Sequence, residues 1–264
     1  MKNGILGHVD AAGWLAGSTG RGVKVAVVDS GVDSTHPDLC GHVAGGVVLE
    51  ERDGQIVAAP HDGIDVAGHG TACAGIIAGL APEAEIYSVR VLKCTGTESD
   101  GTPRAGGKAR VLLAGIDWAI EHCDVINVSS GLLVSRGAAH FESFHRMVEK
   151  AYYRDRIMVA AGENYEMPSF PSVFSNLIKV YWTEVDDPLK FFFKLKPRCF
   201  TEFLASGYYV RVPQPGGGHI LEIGSSFAAP HLSAVAALIL SKNPGLKPFE
   251  VKSLLYAMAS EPPP

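Results

Sequence analysis

Short, continuous apolar runs alternate along the chain with stretches whose apolar residues recur at helical spacing. The runs carry the β-branched residues typical of strands that are buried on both faces of a parallel sheet, and they are VKVAVV (23–28), IYSVRVL (86–92), DVINVS (124–129) and RIMVAA (156–161). The periodic stretches predict helices at residues 71–79, 109–122, 141–153, 225–242 and 247–259. The alternation of strand and helix predicts an α/β fold with a mainly parallel sheet.

Residues 183–223 follow neither pattern. Two segments within them, LKFFFKLK and YYVRVP, predict extended or hairpin structure that decorates the core. The chain has no internal repeat and no linker rich enough to divide it. Residues 1–264 are therefore expected to form a single domain, with an N-terminal arm at 1–20 and a flexible tail at 260–264.

Composition and charge narrow the range of partners. A chain of 264 residues that is 47% hydrophobic can bury one large core. The formal net charge is −5, and the Lys and Arg residues are scattered, which argues against nucleic acid and against an anionic membrane as partners. The N-terminal residues lack the apolar core of a signal peptide, and no later apolar run is long enough to span a bilayer.

The cysteines argue against both a disulfide framework and a zinc site. They are odd in number, far apart and without a C-x-x-C pair, at Cys40, Cys73, Cys94, Cys123 and Cys199. This usage predicts a cytoplasmic protein, although a secreted protein that has lost a signal segment would have the same sequence.

Polar residues stand where an α/β fold gathers its functional groups, at strand ends and in the first turns of helices. Asp29 follows the first strand, His69 begins a helix between two glycines, and Ser225 and Ser226 open another helix. Each has an ordinary structural interpretation, as a turn former, a hydrogen-bonded histidine or an N-cap serine. Together they offer what serine acyl transfer needs: a hydroxyl, an imidazole that takes its proton and a carboxylate that orients the imidazole.

Four sequence blocks carry a resemblance to the subtilisin-like serine proteases: DSGVDSTHPDL (29–39), GHGTACAGIIAG (68–79), VINVSSG (125–131) and GSSFAAPH (224–231). The resemblance extends from about Gly22 to Ala259 and implies a single three-layer α/β domain, with a mainly parallel sheet flanked by helices. In the family motif the second of the two hydroxyl residues attacks the substrate. The resemblance therefore assigns Ser226 as the nucleophile, His69 as the general base and Asp29 as the residue that orients it.

The family also uses an asparagine side chain to donate a hydrogen bond to the oxyanion, usually within Ala-Ala-Gly-Asn. The corresponding stretch here is VAAGENYEMPSFPS (159–172). An alignment without a gap puts Asn164 at the oxyanion position, whereas a competing alignment puts Glu163 there. We favour Asn164, because a carboxylate would repel the developing negative charge and because the downstream Ser-Phe-Pro fits without an insertion.

The resemblance also implies where a polypeptide substrate binds. Ser129, Ser130 and Gly131 would continue an edge that pairs with an extended substrate backbone through main-chain hydrogen bonds. Glu163, with Glu166 as a second candidate, would bias the primary specificity pocket towards a basic side chain on the acyl side of the cut. The alternative is that Glu163 points to solvent.

No cofactor or metal is expected. Many secreted relatives carry a calcium-binding loop within the helix after the catalytic histidine, whereas residues 79–82 here pass straight to the next strand. Asp33 and Asp38 match family positions nearby, but two carboxylates supply too few of the six to eight oxygens that calcium takes. Their expected roles are in turns and at the surface. Cys73, near the site, is interpreted as a small buried thiol.

These observations predict a serine endopeptidase that acts through an acyl-enzyme. Alternatives are a protease dedicated to one precursor or leader peptide, a non-catalytic peptide-binding module on the same fold, and a peptide ligase that passes the same acyl group to an amine. The triad residues argue against the binding module, and the altered asparagine block keeps it open.

Overall fold

A nine-stranded sheet forms the centre of the protein, as seen in a computed structural model that describes residues 9–97, 103–164, 167–194 and 202–261. The described strands are β1 (Lys24–Asp29), β2 (Val43–Arg52), β3 (Gln55–Pro60), β4 (Glu85–Arg90), β5 (Lys93–Thr97), β6 (Pro103–Gly106), β7 (Val125–Val128), β8 (Leu132–Leu133), β9 (Ile157–Ala161), β10 (Ser169–Phe170), β11 (Ile178–Thr183), β12 (Phe192–Phe193), β13 (Phe203–Ser206), β14 (Val210–Pro213) and β15 (His219–Glu222). The sheet order is β12-β13-β11-β9-β7-β1-β4-β2-β3. Its inner strands are parallel, and β3 and β12 are antiparallel edge strands.

Helices cover both faces of this sheet. The described helices are α1 (Ala11–Leu15), α2 (His69–Leu80), α3 (Ala109–His122), α4 (Val134–Gly137), α5 (Phe141–Tyr153), α6 (Ser225–Lys242) and α7 (Pro248–Met258). Residues of α2, α6 and α7 share one apolar cluster with one face of the sheet, and residues of α3 and α5 share a second cluster with the other face. The three-layer α/β fold expected from the sequence is confirmed.

The central strands supply apolar side chains to both layers. In β1, Val25 and Val27 belong to the cluster with α6, while Ala26 and Val28 belong to the cluster with α3. All four are fully buried. Because successive side chains of a strand point to opposite faces, a strand between two helical layers must be apolar at every position, and this is why these runs show no alternation.

Most predicted elements lie where the sequence placed them. The helices at 109–122, 141–153 and 225–242 have the predicted bounds, and the helix predicted at 71–79 begins earlier, at His69. Two segments of the irregular region differ from each other. Strand β14 forms a hairpin with β15, as expected, whereas β12 pairs with β13 and is an edge strand of the main sheet instead of a decoration.

The N-terminal arm is held against the last helices. The Val9 amide donates to the Ala257 carbonyl, and Lys242 Nζ bonds the Trp14 carbonyl. Residues 1–8 and 262–264, which belong to the predicted arm and tail, lie outside the described residues. Within the described ranges, no helix has the length and apolarity needed to cross a membrane.

The parallel register brings three strand ends together. Strand β1 pairs with β7, and β7 pairs with β9, all running in the same direction. The carboxyl edge of the sheet therefore carries three residues: Asp29, the last of β1, Ser129, which follows β7, and Gly162, which follows β9. At this edge α/β folds build their sites.

Candidate active site

Asp29 and His69 form a hydrogen-bonded pair. Asp29 is fully buried as the last residue of β1, and His69 is the first residue of α2. The Nδ1 atom of His69 lies 2.9 Å from each carboxylate oxygen of Asp29. With its Nδ1–H donated to the carboxylate, the imidazole presents Nε2 as an acceptor, which is the tautomer that a general base requires.

The two glycines beside His69 allow this approach. Gly68 has φ +84°, a left-handed conformation that glycine adopts without strain. A Cβ on Gly70 would lie 2.0 Å from the Gly31 carbonyl oxygen. A side chain there would push the start of α2 away from β1, and with it the imidazole from Asp29.

Asp65 organises the loop before α2. Its Oδ1 accepts hydrogen bonds from the Ser30 hydroxyl and from the backbone amides of Ala67 and Gly68. Its Oδ2 accepts from the amide and the hydroxyl of Thr71. These five bonds satisfy amides at the start of the helix and fix the position of His69 relative to β1.

Ser226 lies in the first turn of α6, where backbone N–H groups lack helical partners. Its Oγ donates to the Ser129 carbonyl over 3.0 Å, and the Ser129 hydroxyl donates to the Ser226 carbonyl over 2.8 Å. Ser226 and His69 both belong to the described part of the chain, and the structure has no hydrogen bond between them; they line the same groove.

Burial and nearby carboxylates act in opposite directions on His69. Burial alone would lower the pKa of His69, but the charges of Asp29, Asp65 and Glu222 and the hydrogen bond that His69 donates to Asp29 raise this pKa above its ordinary value. The imidazole side chain is 27% exposed, so it is accessible from the groove. The raised pKa means that the His69 imidazole takes up a proton more readily than an ordinary histidine.

Asn164 lines the same groove as His69 and Ser226 and is held by the first turn of α6. The Ser225 amide donates to Asn164 Oδ1 over 2.9 Å, so the Nδ2 group is the end of the side chain left to donate. Asn164 is exposed and lines the groove. Glu163 is half-buried and is not among the described residues that line the groove, and Glu166 lies outside the described residues.

The groove that joins these residues has a volume of about 840 Å³. Ser129 and Ser130 line it, whereas Gly131 is exposed beside it and packs near Ser169 and Phe170. Two hairpins contribute to its walls: β5–β6 through Pro103 and Ala105, and β14–β15 through residues that include Gln214, Ile220 and Glu222.

Comparisons with known proteins identify the family of the chain. A family model described as "Subtilase family" matches residues 20–262. The chain belongs to the subtilase family. Among curated relatives of this subtilase, subtilisin NAT from Bacillus subtilis subsp. natto is 32% identical over 260 residues, which are 92% of this chain and 62% of the relative. The chain thus spans less than two thirds of the length of that relative.

Solved structures resemble this subtilase over most of its length. A cold-adapted subtilisin-like serine proteinase superposes with a TM-score of 0.73 at 26% identity, covering 92% of this chain and 84% of that one. A lanthipeptide protease superposes with a TM-score of 0.66 at 23% identity, covering 88% of this chain and 78% of that one. This likeness shows that the two proteins share a fold.

The carboxylates that match family positions near calcium are engaged within the protein. Asp33 accepts from the amide and hydroxyl of Thr35 and from the Gly216 amide. Asp38 pairs with His219, with 2.7 Å between Oδ2 and Nε2. Helix α2 also ends at residue 80, and β4 begins at residue 85 without a long loop. The absence of a calcium site in this subtilase stays a prediction from the sequence.

Cys73 lies close to the hydrogen-bonded pair Asp29 and His69. It is fully buried in α2, and its Sγ lies 3.5 Å from the Ser226 carbonyl. Burial raises the pKa of the Cys73 thiol well above its ordinary value. Within the described residues, its thiol is close enough to Asp29 and His69 for the three to form a potential metal-binding cluster, and two of its members are the hydrogen-bonded pair itself.

Two groove residues were missed at the level of the sequence. No periodic pattern surrounds Asp65 in the sequence. The one local signal is its position, four residues before a histidine that begins a helix. Glu222 lies in the region whose sequence pattern was irregular, and its place in the groove depends on the β14–β15 hairpin packing against α2 through Val212, Ala72 and Ile76.

Proposed function

We propose that this subtilase is a serine endopeptidase that hydrolyses peptide bonds of an extended polypeptide through the triad Asp29, His69 and Ser226. The observation that carries the proposal is the His69 imidazole, held through Nδ1 by both oxygens of a buried carboxylate, beside a groove into which Ser226 opens. Membership of the subtilase family supports the same chemistry.

In the proposed reaction, the Ser226 hydroxyl exchanges its bond to the Ser129 carbonyl for one to His69 Nε2. The hydroxyl oxygen then attacks the substrate carbonyl carbon while Nε2 takes its proton. The oxyanion would accept hydrogen bonds from Asn164 Nδ2 and the Ser226 amide. As the imidazolium gives its proton to the leaving amine, the C–N bond breaks and the acyl group stays on Ser226. A water molecule, deprotonated by the same imidazole, then attacks the acyl carbon, and the imidazolium returns that proton to Ser226 Oγ as the acyl ester bond breaks.

Labelling with a fluorophosphonate tests the proposal directly, because the probe reacts with an activated serine hydroxyl. We expect one label, located by mass spectrometry at Ser226 and absent in Ser226→Ala. The matched control is Ser225→Ala, which removes the neighbouring hydroxyl and should keep the label. A folded parent that takes no label, or a label that survives in Ser226→Ala, would contradict the proposal and favour the non-catalytic module.

A narrower function is the second candidate. The two hairpins that wall the groove favour a protease that accepts few sequences, such as one that matures a single precursor or leader peptide. Digestion of a reduced, alkylated protein separates the two candidates. Many cuts would support a general endopeptidase, and activity limited to one or two sites would support the dedicated one. Addition of an amine nucleophile to the same assay reports ligation, since the acyl group would then pass to the amine.

Three sequence-based expectations belong to the same proposal. Ser129, Ser130 and Gly131 would bind the substrate backbone, and Glu163 would favour a basic side chain on the acyl side; the position of Asn164, and not Glu163, in the groove lining gives the Glu163 role less support. The cytoplasmic location stays a prediction from the cysteines.

A further inference from the structure

The β14–β15 hairpin is attached to the rest of the protein through its strands and through its tip. The strands form a two-stranded sheet of their own and share a small apolar cluster with α2 and α6. At the tip, the consecutive glycines 216–218 have left-handed φ values between +82° and +107°. Glycine adopts this conformation without strain, but it loses more conformational freedom than any other residue when it is fixed. Contacts from outside the hairpin are therefore needed to hold the tip.

Two such contacts are made to the backbone of the tip by the loop that follows β1. Asp33 Oδ2 accepts a hydrogen bond from the Gly216 amide over 2.9 Å. His36 is buried, and its Nδ1 accepts from the Asp38 amide. Its Nε2 therefore carries the proton and donates to the Gly218 carbonyl over 3.0 Å. The tip is thus tied at both of its outer glycines.

The third contact joins two side chains. His219 is the first residue of β15, and its Nε2 lies 2.7 Å from Asp38 Oδ2. Its Nδ1 lies 2.8 Å from Nη2 of Arg211 in β14. Because arginine can only donate, Nδ1 accepts and Nε2–H donates to Asp38. This charge-assisted hydrogen bond lowers the pKa of Asp38 below its ordinary value. We call these three interactions the tip contacts.

The tip contacts lie outside the groove but fix residues that line it. The described lining includes none of the side chains that form the tip contacts, and it includes four other hairpin residues: Gln214, Pro215, Ile220 and Glu222. Two of these precede the glycines and two follow His219, so a displaced tip would move both sides of the hairpin. The strands stay attached to α2 and α6 through the apolar cluster. Loss of a tip contact should therefore move the groove wall and leave His69 and Ser226 in place.

We propose that Asp38 and His219 are positioning residues for the groove wall, and that the tip contacts hold the β14–β15 hairpin where it binds an extended polypeptide. The proposal rests on the proposed function, because it concerns the substrate groove of the same site. Both residues act through the hairpin and touch no reacting atom. Breaking their hydrogen bond should weaken substrate binding and leave the chemical step intact.

Steady-state kinetics on an internally quenched peptide that the parent cleaves test this role. We expect Asp38→Ala and His219→Ala each to raise KM by about fivefold, the effect of one ordinary hydrogen bond. Their kcat should stay within about twofold of the parental value, because the lost interaction is the same in the ground state and the transition state. The double variant should resemble the single variants, since all three lack the same contact. His219→Gln, whose side-chain amide can donate to Asp38, should restore KM.

A small probe and a matched control separate positioning from a general loss of structure. A short-chain alkyl fluorophosphonate should label Ser226 at the parental rate in Asp38→Ala. The control is Asp117→Ala on α3, because the Asp117 side chain is 48% exposed, like the 45% of Asp38, and pairs with Lys150. It should keep the parental KM. An unchanged KM in Asp38→Ala, an equal increase in Asp117→Ala, or slow labelling in Asp38→Ala would overturn the proposal.

Hydrogen exchange separates this proposal from the proposed function, because it needs no catalysis. We would follow the amides of residues 214–222 by mass spectrometry in Ser226→Ala, which prevents self-cleavage. Exchange that is about fivefold faster on adding Asp38→Ala, but not on adding Asp117→Ala, supports the tip contacts even if the parent takes no label. A labelled, active parent whose tip exchanges equally fast with and without Asp38→Ala would overturn the positioning role and leave the protease function intact.

Discussion

At the scale of single residues, Asn164 carries the sharpest prediction. Its Oδ1 is fixed by the Ser225 amide, which leaves Nδ2 to donate to a developing oxyanion. We expect Asn164→Ala to lower kcat by about a hundred- to a thousandfold, a figure taken from subtilisin, with little change in KM because the interaction forms in the transition state.

Steady-state kinetics on a peptide substrate measure this effect, and the Glu163→Ala variant separates the two alignments. If Glu163 occupied the oxyanion position, removing its negative charge would raise kcat. If Asn164 occupies that position, Glu163→Ala should leave kcat nearly unchanged. A decrease of less than threefold in Asn164→Ala would contradict the role proposed for this residue.

The residues of the site differ in how far the sequence could predict them. Close packing constrains the residues next to Asp29, His69 and Ser226, so the sequence around each of them is distinctive enough to predict the site. Gly70 is an example, since a Cβ there would meet the Gly31 carbonyl. Asp65 and Glu222 act through contacts with distant segments, and no local pattern reports such contacts.

At the scale of secondary-structure elements, Pro230 explains why α6 is hydrogen-bonded to the residue that follows β7. A helical proline has no N–H, so Pro230 leaves the Ser226 carbonyl, four residues earlier, without its helical partner. The Ser129 hydroxyl donates to that carbonyl, and the buried Asn127 Nδ2 donates to the Ser129 hydroxyl. A residue that directly follows β7 thus replaces the missing hydrogen bond in α6.

Ser129→Ala should therefore destabilise the protein. The substitution leaves the Asn127 amide without its acceptor and the Ser226 carbonyl without the Ser129 donor, and we expect a loss of about 1–3 kcal/mol in the free energy of unfolding. Urea denaturation in a Ser226→Ala background, which prevents self-cleavage, measures it. Ser130→Ala is the control: the Ser130 hydroxyl is buried and has no hydrogen-bond partner among the described residues, so the change should stay within about 0.5 kcal/mol. Equal losses in both variants would contradict the bridging role of Ser129.

Elements were predictable where a segment packs regularly against the core and less so at the edges of the sheet. Helices α3 and α5 have one apolar face against the sheet, and their period gave their bounds. Strand β2 lies near the sheet edge, and its register with β4 shifts between Val43 and Gly45. Such an irregularity interrupts the alternation that a sequence pattern would need, and the exposed residues of β3 carry no pattern at all.

At the scale of the whole molecule, α6 is the central helix of the apolar layer on one face of the sheet and is buried along almost its whole length. His231 lies in this helix and is 4% exposed, and its Nδ1–H donates to the Phe227 carbonyl over 2.8 Å. Burial lowers the pKa of His231 to about 4, and the hydrogen bond opposes that effect only in part. The core therefore holds a histidine that stays neutral while an unfolded chain would protonate it.

This difference predicts a loss of stability in mild acid. Between the ordinary histidine pKa of 6.5 and the folded value of about 4, the unfolded state binds the extra proton, so the stability falls as the pH falls through this window. The full effect is about 3 kcal/mol. His69 acts in the opposite direction, because its pKa is raised and its contribution is lost as the pH rises through that value.

Comparison with a variant isolates the contribution of His231. We would measure the free energy of unfolding by urea between pH 7 and pH 4.5 for Ser226→Ala and for Ser226→Ala with His231→Gln. Glutamine keeps a polar side chain that does not titrate, so the variant loses stability at pH 7 through packing but should lose less on acidification. The difference between the two proteins should shrink by about 2 kcal/mol between those pH values, which span most of the window. A difference that stays constant with pH would mean that His231 is protonated in the folded core, contrary to its burial.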